Sequence, residues 1–444
     1  MTRASFARGL KRMLLVALAL AVLSVLLCVA LAAFALHTLA PKPGSWSHTL
    51  RIGSANHAIE RQVSVPALLR LATHPASLRV MDGRSMPSRF GRLQLHFEAE
   101  PGILRVDCAP CLLPVPELSP VPLRVSEAHW TLQRRWQDDW FGDIVLGSGK
   151  QALHGQWQAK LSGQALQLSV SLPPSPLADV YRLFADQVPE LRRAALEGSA
   201  GLDLRLDLPS RQWQLKPLLI GARVAGLGTE ALLGAQPPAR CAAPAEARQR
   251  RAAAGMGVWL PRAVIAAEDQ RFYEHPGYDL SESALAWQHD DSARAMRGAS
   301  TISQQLAKLV FVGDGRDPGR KLRELLYALE MERTLGKARI LQLYLAIAPW
   351  GQGQCGAEAA AWHYLGKPAS TLGPVEAAWL ASLLRNPDVL AQRVVDSGAI
   401  DEVRVTRIVG DLRPIGLAHR EAAIAAVPGW LPLLALRSAP SAAP

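Results

Sequence analysis

Between Glu268 and Glu324, a stretch of 57 residues, three short clusters hold side chains that can do chemistry. The first is Glu268-Asp269, at the end of the helical run 260–267 and followed by Phe272, His275 and the helix-breaking Pro276-Gly277. A carboxyl beside a second acid and walled by an aromatic ring has its pKa raised and can act as a base near neutral pH. Taken alone, two acids at a helix end are an ordinary solvated surface. The second cluster runs Ser300-Thr301-Ile302-Ser303-Gln304-Gln305-Leu306-Ala307-Lys308. Ser300 or Thr301 would cap a helix whose first-turn N–H groups face an anion, with Gln304 and Lys308 on one face and Gln305 beside them. The third is Arg316-Asp317-Pro318-Gly319-Arg320-Lys321-Leu322-Arg323-Glu324. Asp317 and Pro318 start a helix there. Arg320 and Glu324 four residues apart make an ordinary intrahelical pair worth about 0.2–0.5 kcal/mol. The sharper reading is that Lys308, Arg316, Arg320 and Lys321 gather positive charge around one inward acid, Glu324, which suits a diphosphate.

The elements that must position these clusters divide the chain. Residues 1–12 are basic, with Arg3, Arg8, Lys11 and Arg12 and no acid, and 13–36 are uncharged and apolar. At about 1.5 Å per residue that run spans roughly 36 Å, enough for a single transmembrane helix with the basic end in the cytoplasm. The run is long for a cleaved signal peptide, so an anchor is the reading adopted. From 46 to 235 apolar residues alternate, as in Leu93, Leu95, Phe97 and in Leu202, Leu204, Leu206, which predicts a β-rich domain. One helix, 177–196, interrupts it, and Trp130, Trp136, Trp140, Trp157 and Trp213 supply its core. Gly147-Ser148-Gly149-Lys150 reads as a turn, because Ile144 stands where a phosphate loop needs its first glycine. Residues 236–257 read as a linker, 258–395 as a helical domain and 396–444 as an extension ending in a tail. The fold class is therefore multidomain α+β.

A net charge of +11 favours anionic partners. No nucleic-acid motif or aromatic-basic platform accompanies that charge, so membrane lipid and phosphate are expected and nucleic acid is not. The single C-A-P-C pair, Cys108 and Cys111, lacks the second pair of a structural zinc site and reads as a local disulfide or two plain thiols.

Together the three clusters resemble the ordered motifs of glycosyltransferase family 51, the peptidoglycan glycosyltransferases: EDxxFxxHxGxD, GGSTxTQQxxKN and RKxxE. The similarity continues through Leu341-Gln342-Leu343-Tyr344-Leu345, Trp350-Gly351-Gln352-Gly353, His363-Tyr364-Leu365-Gly366-Lys367 and Asn386-Pro387, about 130 residues in family order. The resemblance implies a mainly helical, lysozyme-like catalytic domain with a small membrane-touching subdomain, here about 280–296. It implies that Glu268 is the general base for the 4-hydroxyl of the acceptor's N-acetylglucosamine. Attack on the donor's N-acetylmuramic acid, with inversion, would give a β-1,4 link and release undecaprenyl diphosphate from lipid II. Lys308, Arg316, Arg320 and Lys321 match diphosphate-holding positions, with Ser300, Thr301, Gln304 and Gln305 around them and Asp269, Phe272 and His275 in support. Glu324 matches the second acid, which assists the leaving phosphate directly or through a Mg or Mn ion; no organic cofactor is implied.

The sequence departs from the pattern at Ala299, Leu309, Gln342 and Ala346. Those departures keep open a non-catalytic envelope scaffold with a degenerate domain, and the lysozyme-like fold keeps open a lytic muramidase. A hydrolase has no diphosphate to hold, which disfavours the second. Only 59 residues follow Arg385, without the S-x-x-K and K-T-G elements of a penicillin-binding domain, so crosslinking is expected from a separate transpeptidase. The partners expected are thus lipid II, the nascent glycan strand, the bacterial inner membrane and that transpeptidase.

Overall fold

A computed structural model of the chain describes residues 38–41, 46–52, 59–113, 121–210, 212–234, 255–280, 300–315 and 317–433. The basic segment 1–12, the anchor expected at 13–36, Arg316, Ala299, most of the linker and all but the start of the membrane-touching subdomain lie outside them. Among the described residues no helix is long and apolar enough to cross a membrane.

The β region is as expected in kind. β1 (Ser47–Ile52) and β2 (Ile59–Ser64) pair with each other, as do β6 (Cys111–Leu113) and β7 (Leu123–Val125). The remaining strands are β3 (Ser85–Ser88), β4 (Gly91–Glu98), β5 (Ile103–Cys108), β8 (Ala128–Trp136), β9 (Asp139–Leu146), β10 (Leu153–Ser162), β11 (Ala165–Pro176), β12 (Ala195–Leu208) and β13 (Gln212–Ala225). They form one nine-stranded antiparallel sheet in the order β13-β12-β11-β10-β9-β8-β5-β4-β3. The alternation read from the sequence places Leu95 and Phe97 in one buried cluster with Leu104 and Val106. Cys108 and Cys111 are joined in a disulfide, and Cys355 is disulfide-bonded as well.

Three expectations are corrected. Two helices, α1 (Val65–Ala72) and α2 (Pro75–Met81), interrupt the strands early; Ser64 caps the first, and each has a proline in its opening turn. They close the sheet's apolar face, Leu78 joining the cluster of Leu95 and Phe97 while Leu69 packs on Trp140, Ala159 and Leu161. The helix expected over 177–196 is short: α3 (Leu177–Arg182) gives way to 3-10 turns at Ala185–Gln187 and Pro189–Arg192, and Pro189, with no N–H to bond the residue four before it, opens the second of these instead of continuing an α-helix. Of the tryptophans expected in the core, Trp140 is buried but Trp136, at the open end of β8, is 73% exposed.

The helical domain comprises α4 (Trp259–Glu268), α5 (Ile302–Ala307), α6 (Arg320–Thr334), α7 (Gly336–Ile347), α8 (Ala357–Leu365), α9 (Pro374–Ser382), α10 (Pro387–Ser397), α11 (Glu402–Asp411) and α12 (Leu417–Ala425). Its punctuation follows the sequence. Pro374 and Pro387 sit in first turns, and Gly366 and Gly398 end helices in the left-handed conformation that glycine adopts without a Cβ penalty. The core does not stop at 395. Val405, Ile408, Val409 and Leu412, at helical spacing, and then Ala423 and Val427, belong to the same buried cluster as Leu260 and Trp379. Leu177, Tyr181, Val188, Val224 and Leu232 of the β region join that cluster too, so the two regions share one apolar core.

Candidate active site

Glu268 is the last residue of α4, a helix that buries Leu260, Ala263, Val264 and Ala266. The chain leaves the helix at Asp269, so the adjacent carboxylates part company. Asp269 turns inward and accepts from His275 Nε2 at 2.9 Å and from the Ile302 backbone N–H at 2.9 Å. His275 Nδ1 in turn accepts from the Gly277 N–H at 3.1 Å, which assigns the ring proton to Nε2. Asp269 and His275 thus latch the end of α4 to the start of α5. Phe272, fully buried against Tyr273 and His275, is absent from the cleft lining and does not wall Glu268.

The start of α5 is closed rather than open. Thr301 Oγ1 accepts from the Gln304 N–H and donates to Gly277 O at 2.7 Å, while Gln304 Oε1 accepts from the Thr301 N–H at 3.0 Å. This reciprocal cap, with Asp269 on Ile302, uses the Ile302 and Gln304 N–H groups, two of those that the sequence offers to an anion. Gln305 points the other way. Its Nε2 donates to Glu268 Oε2 at 3.1 Å, and its Oε1 accepts from Tyr344 O–H at 2.7 Å, so the buried tyrosine sets which end of the amide meets the carboxylate. After α5 the backbone widens into a π-helical turn, Lys308–Val312, and Lys308 Nζ lies 2.6 Å from Asp314 Oδ1.

The third cluster is the first turn of α6. Glu324 is 1% exposed and has both oxygens engaged: Arg320 Nη1 binds Oε1, and Lys321 Nζ lies 2.7 Å from Oε2 while also donating to Ser300 Oγ. That donor set does not suit a divalent cation, because two positive groups already occupy the carboxylate. Among the described residues of the cluster the remaining basic side chain, Arg323, faces away from the cleft toward Glu190 and Asp317; Arg316 lies outside them.

These groups line one cleft of about 340 Å³, bounded by Glu268, Ser300, Gln305, Lys308, Arg320, Lys321, Glu324 and Tyr344. Thr301 and Gln304 are not in its wall. The wall also holds Arg385 and Arg404, so five cations accompany two carboxylates there. Burial raises the Glu268 pKa; the Gln305 amide and the Arg404 and Arg385 charges pull the other way, and the Asp269 charge adds a lesser rise. Burial lowers the Arg404 pKa, opposed by the Glu268 charge. Arg404 Nη2 is 3.6 Å from Glu268 Oε1, and its Nε donates to Ser382 O at 3.2 Å.

Reading the sequence missed both arginines. Arg385 stands next to the Asn386-Pro387 that carries the resemblance, with no role attached. Arg404 is on α11, beyond the expected boundary, although Val405, Ile408, Val409 and Leu412 would have extended the helical period to it.

Residues 240–409 match the Transglycosylase family model. The chain carries a transglycosylase domain. The match includes Arg404 and leaves the nine-stranded sheet outside. The transglycosylase domain is similar to the biosynthetic peptidoglycan transglycosylase of Nitrosomonas eutropha, 50% identical over 129 residues that make up 29% of this chain and 53% of that protein. The enzyme of the same name from Aeromonas hydrophila is 50% identical over 128 residues, 29% of this chain and 54% of its own. That of Methylobacillus flagellatus is 40% identical over 151 residues, 34% and 66% respectively. The chain thus spans between half and two thirds of these relatives.

Proposed function

We propose that this protein polymerises peptidoglycan glycan strands from lipid II by inverting glycosyl transfer. The supporting observation is the joining, in one cleft, of a buried carboxylate whose proton affinity is raised with a cluster of cations. Glu268 takes the proton from the acceptor's 4-hydroxyl. The freed oxygen pair bonds to the donor's anomeric carbon as the bond to the diphosphate oxygen breaks on the opposite face. The electron pair leaves on the diphosphate, and Lys308, Arg320 and Lys321 receive its charge. Arg320 and Lys321 are held ready by Glu324, so the second acid acts here through the cations rather than through a metal ion. Positioned proton transfer supplies about 10²–10⁴-fold. Five cations in the cleft wall suit a diphosphate leaving group and have no task in glycan hydrolysis, which disfavours the muramidase.

The apolar segment 13–36, the lipid-linked donor and a separate transpeptidase working on the nascent strand belong to the same proposal, with the catalytic domain outside the inner membrane. The disulfide Cys108–Cys111 supports an extracytoplasmic location. The deciding experiment is polymerisation of purified lipid II by the full chain in detergent, compared with Glu268→Gln. Equal glycan synthesis by the two proteins would refute the mechanism.

A further inference from the structure

The β region lies against the helix that carries the phosphate-binding cations. One face of α6 holds Arg320, Lys321 and Glu324 toward the cleft. The neighbouring face is taken by the β region over the helix's whole length. Tyr181 O–H donates to Leu322 O at 3.0 Å, Arg193 Nη2 to Tyr327 Oη at 3.1 Å, and the Leu227 N–H to Glu330 Oε1 at 2.8 Å, while Thr229 Oγ1 meets Thr334 Oγ1 at 2.8 Å. At the start of α6 the approach is closest: a Cβ on Gly319 would stand 2.2 Å from Gln187 O, so only glycine fits there.

The charged element of this contact is a chain of three residues. Glu190, 5% exposed in the turn Pro189–Arg192, accepts from Arg323 Nε with both oxygens, at 2.8 and 3.0 Å. Arg323 Nη1 donates to Asp317 Oδ2 at 3.1 Å, and Asp317 Oδ1 accepts from the Gly319 N–H at 3.2 Å, while Asp317 O accepts from the Arg320 N–H at 3.2 Å. Burial would lower the Arg323 pKa, but Glu190 and Asp317 outweigh it and raise it, so the link stays charged. A carboxylate of the β region therefore fixes, through one guanidinium, the residue that caps the turn bearing Arg320 and Lys321.

We infer that Glu190 is a positioning residue for the diphosphate end of the cleft, and that the β region is a built part of the catalytic unit through it. This rests on the transferase reading for its effect on catalysis, but not for its effect on anion binding. A group held to within a fraction of an ångström loses its value quickly when its support loosens. Glu190→Gln keeps the shape and removes the charge.

The test uses the full chain in detergent, well below its unfolding temperature, with two readouts: the Kd for inorganic pyrophosphate by calorimetry, and KM and kcat for lipid II. Glu190→Gln is expected to weaken pyrophosphate binding and raise KM about tenfold with a much smaller change in kcat, and Glu190→Asp to restore most of the loss. Should Glu190→Gln not fold, Glu190→Gln combined with Arg323→Met leaves no cation stranded at the contact and must show the same weakening. Wild-type Kd and KM in the folded variant, with only a lower Tm, would reduce Glu190 to a structural contact and overturn the inference. Weakened pyrophosphate binding in a protein whose wild type makes no glycan would instead retain the clamp and reject the transferase reading.

Discussion

The two ends of the cleft solve the problem of a buried carboxylate in opposite ways. Glu268, with 9% of its side chain exposed, meets one neutral amide at 3.1 Å and one guanidinium at 3.6 Å. Glu324, 1% exposed, has a cation on each oxygen. Burial raises the proton affinity of the first, whereas the second has both oxygens taken by Arg320 and Lys321. In the proposed mechanism, identical side chains become a base and a scaffold through their neighbours.

The sharpest way to break this comparison is at the base. Glu268→Gln should lower polymerisation by about 10²–10⁴-fold. The same variant should not lower Tm at neutral pH. The folded pKa of Glu268 lies above its unfolded value, so any stability the group contributes exists below the unfolded pKa and is lost as pH rises through the folded one. A Tm measured by calorimetry that fell sharply would show Glu268 to be a structural anion like Glu324.

Glu324→Gln should do the reverse. It strands two partly buried cations, so a loss of about 2 kcal/mol in denaturant unfolding is expected together with at least about tenfold lower activity. An unfolding curve that matches the wild type would mean the cations find other partners and Glu324 acts on substrate itself. Lys308→Ala, at a 37% exposed side chain, should cost less than about 1 kcal/mol of stability while raising the donor KM about tenfold. An unchanged KM would remove Lys308 from the diphosphate site.

The smallest effect is on pH dependence. With a raised pKa, Glu268 loses its role as base when protonated, so activity should fall on the acid side above the ordinary carboxylate range of about 4.3. Arg404 favours the ionised form, so Arg404→Met should move that acid limb to higher pH. A limb that stayed in place in a pH profile of kcat/KM would show that the 3.6 Å contact does not act on the base.

Much of the site could be read from the sequence because three clusters carry most of it in order along the chain. What could not be read is which neighbour each face serves. Thr301 and Gln304 are residues that cap a helix or bind a ligand with equal ease, and only the position of Asp269 closes the helix start. Arg320, Lys321 and Arg323 look alike in sequence, yet the first two bind Glu324 and the last binds Glu190. The β strands were legible from alternation, whereas the short α1 and α2 were overlooked despite Ser64, Pro66 and Pro75, because a few residues carry too little period to register. Arg404 was lost to a boundary drawn where the strong motifs ended rather than where the apolar spacing did.

Among the described residues the nine-stranded sheet is open, with β3 and β13 as its outer strands. Each contains a proline, Pro87 in the first and Pro217 in the second. An outer strand is a template for another chain's strand, and a proline withdraws one of the donors such pairing would use. A long open sheet at high local density would otherwise invite end-to-end growth into fibrils. Its two prolines make each molecule a poor seed for the next.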